Sequence, residues 1–431
     1  MKTLDQIAAE LAGYDPQALS AQAVNEFLAR LVEPVREIES VGIFEALGRV
    51  LAQDVVSPVD VPPHDNSAMD GFAFDGAALA AGTALTLKVT GTAFAGKAWR
   101  GVVGIGECLK IMTGAVMPQS LDTVVPQELV TVAGDVVTVP AGRLQAGDNR
   151  RARGEDIALG QVALQKGELL TPASIGLIAS LGLKSVSVLR KLRVAYFSTG
   201  DEILSLGEPP REGAVYDSNR YTVFGLLTRL GIEMIDMGVV RDEPALLEAA
   251  FKSAASQADA IITSGGVSVG EADHTRAMMK QLAGPAGGVA FWRIAMRPGR
   301  PMAVGRIQKP GGSEAAVLFG LPGNPVAVMV TFLAFVRPAL LRMMGSNPVG
   351  QPYLRAVSDE PIRKKPDRTE YQRGVVTTGA DGSLHVKITG NQGSGVLSSM
   401  TQANGLIVLH HKQADIAAGD MVDVMMFDGV I

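Results

Sequence analysis

ADAIITSGGVSVGEAD, residues 258–273, is the stretch on which the fold turns. Its first six residues are apolar or β-branched apart from one acid, which predicts a short buried strand. The rest of the stretch cannot fill a core. SGGVSVGEAD carries Gly265, Gly266 and Gly270, the hydroxyls of Ser264 and Ser268, and the acids Glu271 and Asp273. Glycines permit positive φ and let backbone N–H groups turn toward an anion, and the acids offer oxygen ligands to a hard cation such as Mg²⁺. A plain strand-to-helix turn capped by Ser or Asp is the other reading of this segment.

Three neighbouring segments repeat the pattern. LRVAYFSTGDEIL (192–204), EMIDMGVVRDEP (233–244) and AAVLFGLPGNPVAVMV (315–330) each read as an apolar strand delivering a polar turn, with helical patterns between them. That alternation predicts βαβ units and a doubly wound parallel sheet, with ligands at the carboxyl ends of the strands. The turns supply Ser198, Thr199, Asp201 and Glu202, then Asp242 and Glu243, then Glu271 and Asp273. Carboxylates gathered in one cleft would repel one another unless a cation sat among them, which points to Mg²⁺. In LPGNPV, Asn324 reads as a helix N-cap and Pro325 as the first helical residue, so the N–H groups there form a candidate anion site. FWRIAMRPGRP (291–301) adds positive charge. As a strand it would put Arg293, Ala295 and Arg297 on one face and Trp292, Ile294 and Met296 on the other, with Arg300 extending the basic row.

Outside this region the texture differs. Val24, Phe27, Leu28 and Leu31 recur at helical spacing until Pro34 ends the pattern. PPHDNSAMDGFAF (62–74) reads as a polar loop entering a strand, and residues 84–139 alternate as in a mostly β domain. In that domain Thr113 and Gly114 fall at a strand end, and NRRARGED (149–156) mixes both charge signs. TPASIGLIASLG (171–182) reads as a capped helix, and residues 348–431 read as a β-barrel or sandwich. The expected domains are 20–54 with 159–190 as a linker domain carrying the N-terminal helices, 55–158 as the mostly β domain, 191–346 as the α/β domain and 347–431 as a C-terminal β domain.

Composition narrows the function. A formal charge of -5 over 431 residues gives no general attraction to nucleic acid or anionic lipid, so any anion site is local. Cys108 stands alone, which excludes an intramolecular disulfide framework and fits a reducing cytoplasm. The five histidines show no metal-ligand spacing, and the N-terminal segment has no apolar core of a signal peptide. Residues 326–336 form an apolar run broken by Thr331, read as a buried helix too short to cross a membrane.

DNSAMDG, IMTGA, RRARGED, FSTGDE, YDSN, SGGVSVGEAD, FWRIAMRPGRP, LPGNPV, QRG and GNQGSGVLSSM, in this order, resemble the MoeA family of molybdopterin molybdenumtransferases, which includes the E domain of gephyrin. The resemblance implies a four-domain homodimer whose active site lies between the α/β domain of one subunit and the β domain of the other. It also implies the reaction: molybdate is inserted into adenylylated molybdopterin, with Mg²⁺-dependent release of AMP. A molybdopterin adenylyltransferase would donate the substrate. By position, Asp70, Thr113 and Asp156 match cleft-facing residues of the second domain, and Glu202, Asp242 and Asp273 match the acids of the α/β domain, which the resemblance gives roles in holding Mg²⁺ or in pyrophosphate cleavage. Ser264, Gly265, Gly266, Ser268 and Asn324 would hold the pterin phosphate, and Arg373 and Ser394 match positions implicated in molybdate binding. The family pattern carries lysines where this chain has Arg293, Arg297 and Arg300. A planar fork in place of a point charge favours bidentate contacts to oxyanions. Two other readings remain: a non-catalytic carrier or scaffold for the cofactor, and a relative of the competence-damage proteins that shares only the α/β domain.

Overall fold

The computed structural model describes residues 2–267, 274–283, 288–311, 314–347, 350 and 352–427. Ser268, Glu271 and Asp273 lie outside them. The chain packs as two compact units, one comprising Met1–Glu39, Gly48–Val50 and Val188–Ile431, the other Ser40–Leu47 and Leu51–Ser187.

The first unit is built on a six-stranded sheet. Its strands are β1 (Arg193–Thr199), β2 (Glu233–Val240), β3 (Ala260–Ser264), β4 (Gly288–Arg293), β5 (Pro301–Gln308) and β6 (Ala315–Leu321). They lie in the order β2-β1-β3-β6-β5-β4. The first four in that row are parallel, as the alternation predicts, whereas β5 runs antiparallel to both its neighbours, β6 and the edge strand β4. The sheet is therefore mixed rather than wholly parallel, because the short connection from β4 to β5 leaves no room for a crossover helix. Strand order reverses between β1 and β3, and there the turns after the strands diverge to opposite faces and leave a crevice.

Both faces are covered. Ala195, Phe197, Ile261 and Leu318 pack under the helix Pro244–Gln257. Val194, Tyr196, Ile262 and Phe319 face a larger core that includes all four predicted apolar residues of the helix Ala21–Leu31. That core also takes in Pro325–Met343, a 19-residue helix with a π-helical turn at Phe332–Val336. By length and composition this helix could cross a membrane, so the apolar run extends further than the sequence suggested. The apolar window is 72% buried inside the fold, as expected of a core helix.

FWRIAMRPGRP is split between two sheets. Phe291–Arg293 end β4, whereas Met296–Arg297 pair in parallel with Thr369–Glu370. The predicted alternation survives the break, with Trp292, Ile294 and Met296 buried and Arg293 and Arg297 exposed. Thr369–Glu370 belong to a barrel formed by β7 (Leu354–Ser358), β8 (Thr369–Thr378), β9 (Leu384–Ile388), β10 (Gly405–Leu409) and β11 (Met421–Met426). The row β8-β9-β7-β11-β10 closes through the antiparallel pairing of β8 with β10, which leaves no free edge among these five strands.

The second unit is mostly β. Its six-stranded sheet includes Gly71–Phe74 beside Glu107–Ile111 and Thr123–Pro126. Alternate residues serve opposite faces: Leu109 and Ile111 enter one core, Cys108 the other. Burial, with the Glu107 charge as a lesser cause, pushes the Cys108 thiol up to about 12, so this cysteine is inert filling. The helix Pro172–Ser180 starts as the sequence predicts, with Thr171 and Ser174 in a reciprocal cap.

Candidate functional site

Register builds the floor of the site. Ser198 on β1 stands directly opposite Ser264 on β3, and Tyr196 lies two residues earlier on the same face. The three hydroxyls meet: Tyr196 Oη lies 2.7 Å from Ser264 Oγ and 2.9 Å from Ser198 Oγ. Burial raises the Tyr196 phenol far above its usual range, so it remains a neutral hydrogen-bonding group. Gly265 and Gly266 come next, at φ 91° and 64°. A Cβ on Gly265 would come within 2.4 Å of the Thr199 carbonyl oxygen, and one on Gly266 within 2.5 Å of Thr275 Cβ. Only glycine permits this close turn at the β1–β3 reversal. The Gly265 N–H is already donated to Leu321 O at 3.2 Å, so it does not point at an anion.

Above this floor lies a cleft of about 980 Å³ within the first unit. Glu202, Ser264, Gly265, Gly266, Arg297, Arg300, Asn324 and Ser394, all named from the sequence, line it. A second cavity of about 670 Å³ lies beside the barrel and is lined by Arg363, Lys364, Lys365, Gln372, Arg373 and Gln392. Arg297, Pro298 and Arg368 line both. The basic character is local, in a chain whose net charge is negative.

Arg373 has an unusual setting. Its side chain is almost wholly buried, and among the described residues no carboxylate accepts from it. Its Nε donates to Ser399 Oγ at 3.0 Å, and Nη2 donates to the carbonyls of Asn391 (3.3 Å) and Gly393 (3.1 Å). Burial, aided by the Arg297 charge, lowers its pKa to about 10. It remains a cation at neutral pH, and two uncompensated guanidiniums side by side favour an anion. The loop that Arg373 holds presents Ser394, whose Oγ accepts from Asn324 Nδ2 at 2.9 Å.

The helix start at Asn324 differs from expectation. Asn324 occupies the N-cap position but makes no side-chain cap, Pro325 has no N–H, and the Val326 N–H is donated to the Ser394 carbonyl at 3.1 Å. The Ser394 loop thus takes a donor that the sequence reading reserved for an anion. Arg293 lines neither cavity, and its backbone N–H is donated to Pro16 O.

The acids gather less tightly than a metal site requires. Asp242 Oδ1 accepts from Thr275 Oγ1 at 3.0 Å, and its N–H is donated weakly to Asp201 Oδ1 at 3.4 Å. Among the described residues no group of three His, Cys, Asp or Glu side chains could hold a metal ion. Glu202 and Asp242 alone therefore do not make a Mg²⁺ site, and Asp273 lies outside the described residues.

In the second unit, Asp70 Oδ1 accepts from both the backbone N–H and the hydroxyl of Thr113, each at 2.7 Å. Those two bonds, the backbone one first, hold the Asp70 carboxyl below its usual range. Asp156 is exposed, and its N–H is donated to Val61 O at 3.1 Å.

The sequence reading missed cleft residues as well. Tyr216, Asp217, Asn219 and Arg368 line the cleft. Thr199 Oγ1, Asp217 Oδ2 and Asn219 Oδ1 are buried there without a hydrogen-bond partner among the described residues. YDSN carried a signal, since an acid capping a helix beside a sheet crevice is placed to meet a ligand. Arg368 carried none.

Family comparisons agree with this architecture. Residues 19–182 match the MoeA N-terminal region (domain I and II), 195–342 a probable molybdopterin binding domain and 355–427 the MoeA C-terminal region (domain IV). The chain is 39% identical to a molybdopterin molybdenumtransferase of Haemophilus influenzae, over 95% of this chain and 98% of that one. It is 33% identical to molybdopterin molybdenumtransferase 2 of Mycobacterium tuberculosis, over 94% and 98%. A crystal structure of the molybdopterin biosynthesis moeA protein from Pyrococcus horikoshii OT3 superposes with a TM-score of 0.77 at 26% identity, covering 95% of this chain and all of that one. Such coverage takes in both units, which a relative sharing only the α/β domain would not. Sequence, topology and coverage together place the chain in the MoeA family of molybdopterin molybdenumtransferases.

Proposed function

We propose that this chain is a molybdopterin molybdenumtransferase, inserting molybdate into adenylylated molybdopterin and releasing AMP. The observation that carries the reading is the pair of cavities joined at Arg297 and Arg368, one glycine-floored and one built around the buried Arg373. Two adjoining anion sites suit a reaction that joins a phosphorylated ligand to an oxyanion. Arg297, Arg300 and Arg368 would hold phosphate oxygens, and their fixed charges would meet the charge that develops as the phosphoanhydride breaks. Arg373 and Ser394 would hold molybdate. Ser264, positioned by Tyr196 and Ser198, would orient the ligand above Gly265 and Gly266. Glu202, Asp242 and Asp273 complete the proposal as acids serving Mg²⁺, which when bound would neutralise phosphate charge. Asp70, Thr113 and Asp156 are proposed as catalytic residues of the second unit. The chain would act in the cytoplasm as a homodimer and take its substrate from an adenylyltransferase.

Incubating purified protein with adenylylated molybdopterin, molybdate and Mg²⁺, then adding a molybdenum-free apoenzyme, tests this. Reconstituted activity is expected. Tight binding of the pterin without reconstitution would make the protein a carrier.

A further inference from the structure

Asp217 and Asn219 sit at the start of the helix Ser218–Arg229, 4% and 8% exposed respectively. Each uses one side-chain atom structurally and leaves the other idle. Asp217 Oδ1 accepts the Arg220 N–H at 3.0 Å, which caps the helix, while Oδ2 is buried without a partner. Asn219 Nδ2 donates to Gly323 O at 2.8 Å, while Oδ1 is buried without a partner. The nearest cation on this helix is spoken for, since Arg220 makes a forked contact with Asp236. Buried acceptors left bare are costly, and native proteins retain them where a ligand supplies the donor.

Both idle atoms are acceptors, so they repel phosphate and select N–H groups. The cations of the same cleft, Arg297, Arg300 and Arg368, do the reverse. The cleft thus presents both donor-seeking acceptors and anion-seeking cations. Tyr216 also lines it, next in sequence to Asp217, and its hydroxyl donates to Glu208 O at 2.8 Å, which fixes a half-exposed ring. A flat heterocycle with adjacent N–H donors meets all three demands.

We propose that Asp217 and Asn219 form an acceptor clamp for the N–H edge of a 2-amino-4-oxopyrimidine ring, and that this clamp sets the direction in which the pterin substrate lies. The inference rests on the function proposed above and adds the residues that read the heterocycle. Asp217 Oδ2 accepts a ring or amino N–H, Asn219 Oδ1 accepts its neighbour, and the phosphate end is thereby turned toward the arginines.

The variant Asp217→Asn is nearly isosteric, keeps an oxygen for the helix cap and replaces the idle acceptor with a donor. Its expected effect is a rise of about 10-fold or more in KM for adenylylated molybdopterin with kcat little changed. Pterin (2-amino-4-oxopteridine) should compete at least about 10-fold less well against this variant, while inhibition by inorganic pyrophosphate is unchanged. With the unmodified protein, pteridin-4-one, which lacks the amino group, should bind at least about 10-fold more weakly than pterin in a fluorescence titration. Equal binding of the two pteridines, no binding of pterin up to about 1 mM, or a variant KM within twofold of the parent would each overturn the clamp. The titration needs no turnover and no variant. It decides the clamp even if the variant fails to fold, and even if the protein forms no cofactor and the function proposal falls.

Discussion

Arg373→Lys tests whether a rigid fork, rather than a positive charge alone, builds the oxyanion site. The guanidinium donates to Ser399 Oγ, Asn391 O and Gly393 O from one buried position. A lysine ammonium at the end of a flexible stem can keep about one of these contacts, leaving two acceptors without a donor. Each unpaired buried acceptor costs about 1–3 kcal/mol, so the loop should lose about 2–6 kcal/mol of local stability. Because Asn391 and Gly393 belong to the loop that presents Ser394, most of that loss should appear as loop opening rather than as global unfolding. With 1.4 kcal/mol equal to a factor of ten, KM for molybdate should rise about 10- to 100-fold if up to about 3 kcal/mol of the loss reaches binding. The assay is molybdate dependence of cofactor formation at saturating adenylylated molybdopterin, paired with hydrogen exchange over residues 391–395. A variant with unchanged molybdate KM and unchanged exchange would refute the reasoning, since it would show that charge alone suffices.

Three further outcomes are expected. Thr113→Ala removes the hydroxyl donor to Asp70 but not the backbone one, so the Asp70 pKa should rise part of the way to its ordinary value. A depressed carboxylate pKa contributes stability present above the unfolded value and lost as pH falls through the folded value, so the variant should lose that contribution at a higher pH, as a carboxyl NMR titration would show. Gly265→Ala combines φ 91° with a Cβ at 2.4 Å from the Thr199 carbonyl oxygen; about 1–3 kcal/mol of backbone strain, plus the displacement of β1, should weaken pterin binding by at least tenfold in a fluorescence titration. Asp259→Ala removes the paired bonds from Arg190 at 2.7 and 2.8 Å and the bond from the Arg193 N–H at 2.9 Å. Burial would raise the Asp259 pKa, but Arg190 and that N–H outweigh it; losing the pair should cost about 3 kcal/mol and lower the melting temperature by roughly 5–10 °C in calorimetry.

The parallel core of the first unit was legible because each strand is an apolar run ending in polar turn residues, a pattern with a local cause. The antiparallel edge was not, since nothing local in residues 288–308 says which way a strand must run once it reaches the sheet. The division of FWRIAMRPGRP obeyed the same rule: alternation told which side chains are buried, but partner choice depends on Thr369 and Glu370, more than seventy positions away. In the site, residue type pointed to Gly265, Gly266, Arg297 and Arg300, which line the cleft, and to Arg373, which lines the neighbouring cavity. It also pointed to Arg293, which lines neither, and gave no sign of Arg368, which lines both. The helix start at Asn324 misled because a cap was legible while its competitor, Ser394, comes from a distant loop. Asp217 and Asn219 stood in the sequence only as part of the YDSN motif, and the folded chain alone reveals that each has an acceptor without a partner among the described residues.

If two anion sites share one reaction, AMP release and molybdenum insertion must keep step. Counting AMP released by chromatography and molybdenum incorporated by mass spectrometry of the isolated cofactor, in the same reaction, measures this. One AMP for each molybdenum is expected, with AMP release dependent on both Mg²⁺ and molybdate. Molybdenum bound without AMP release under any divalent cation would contradict it.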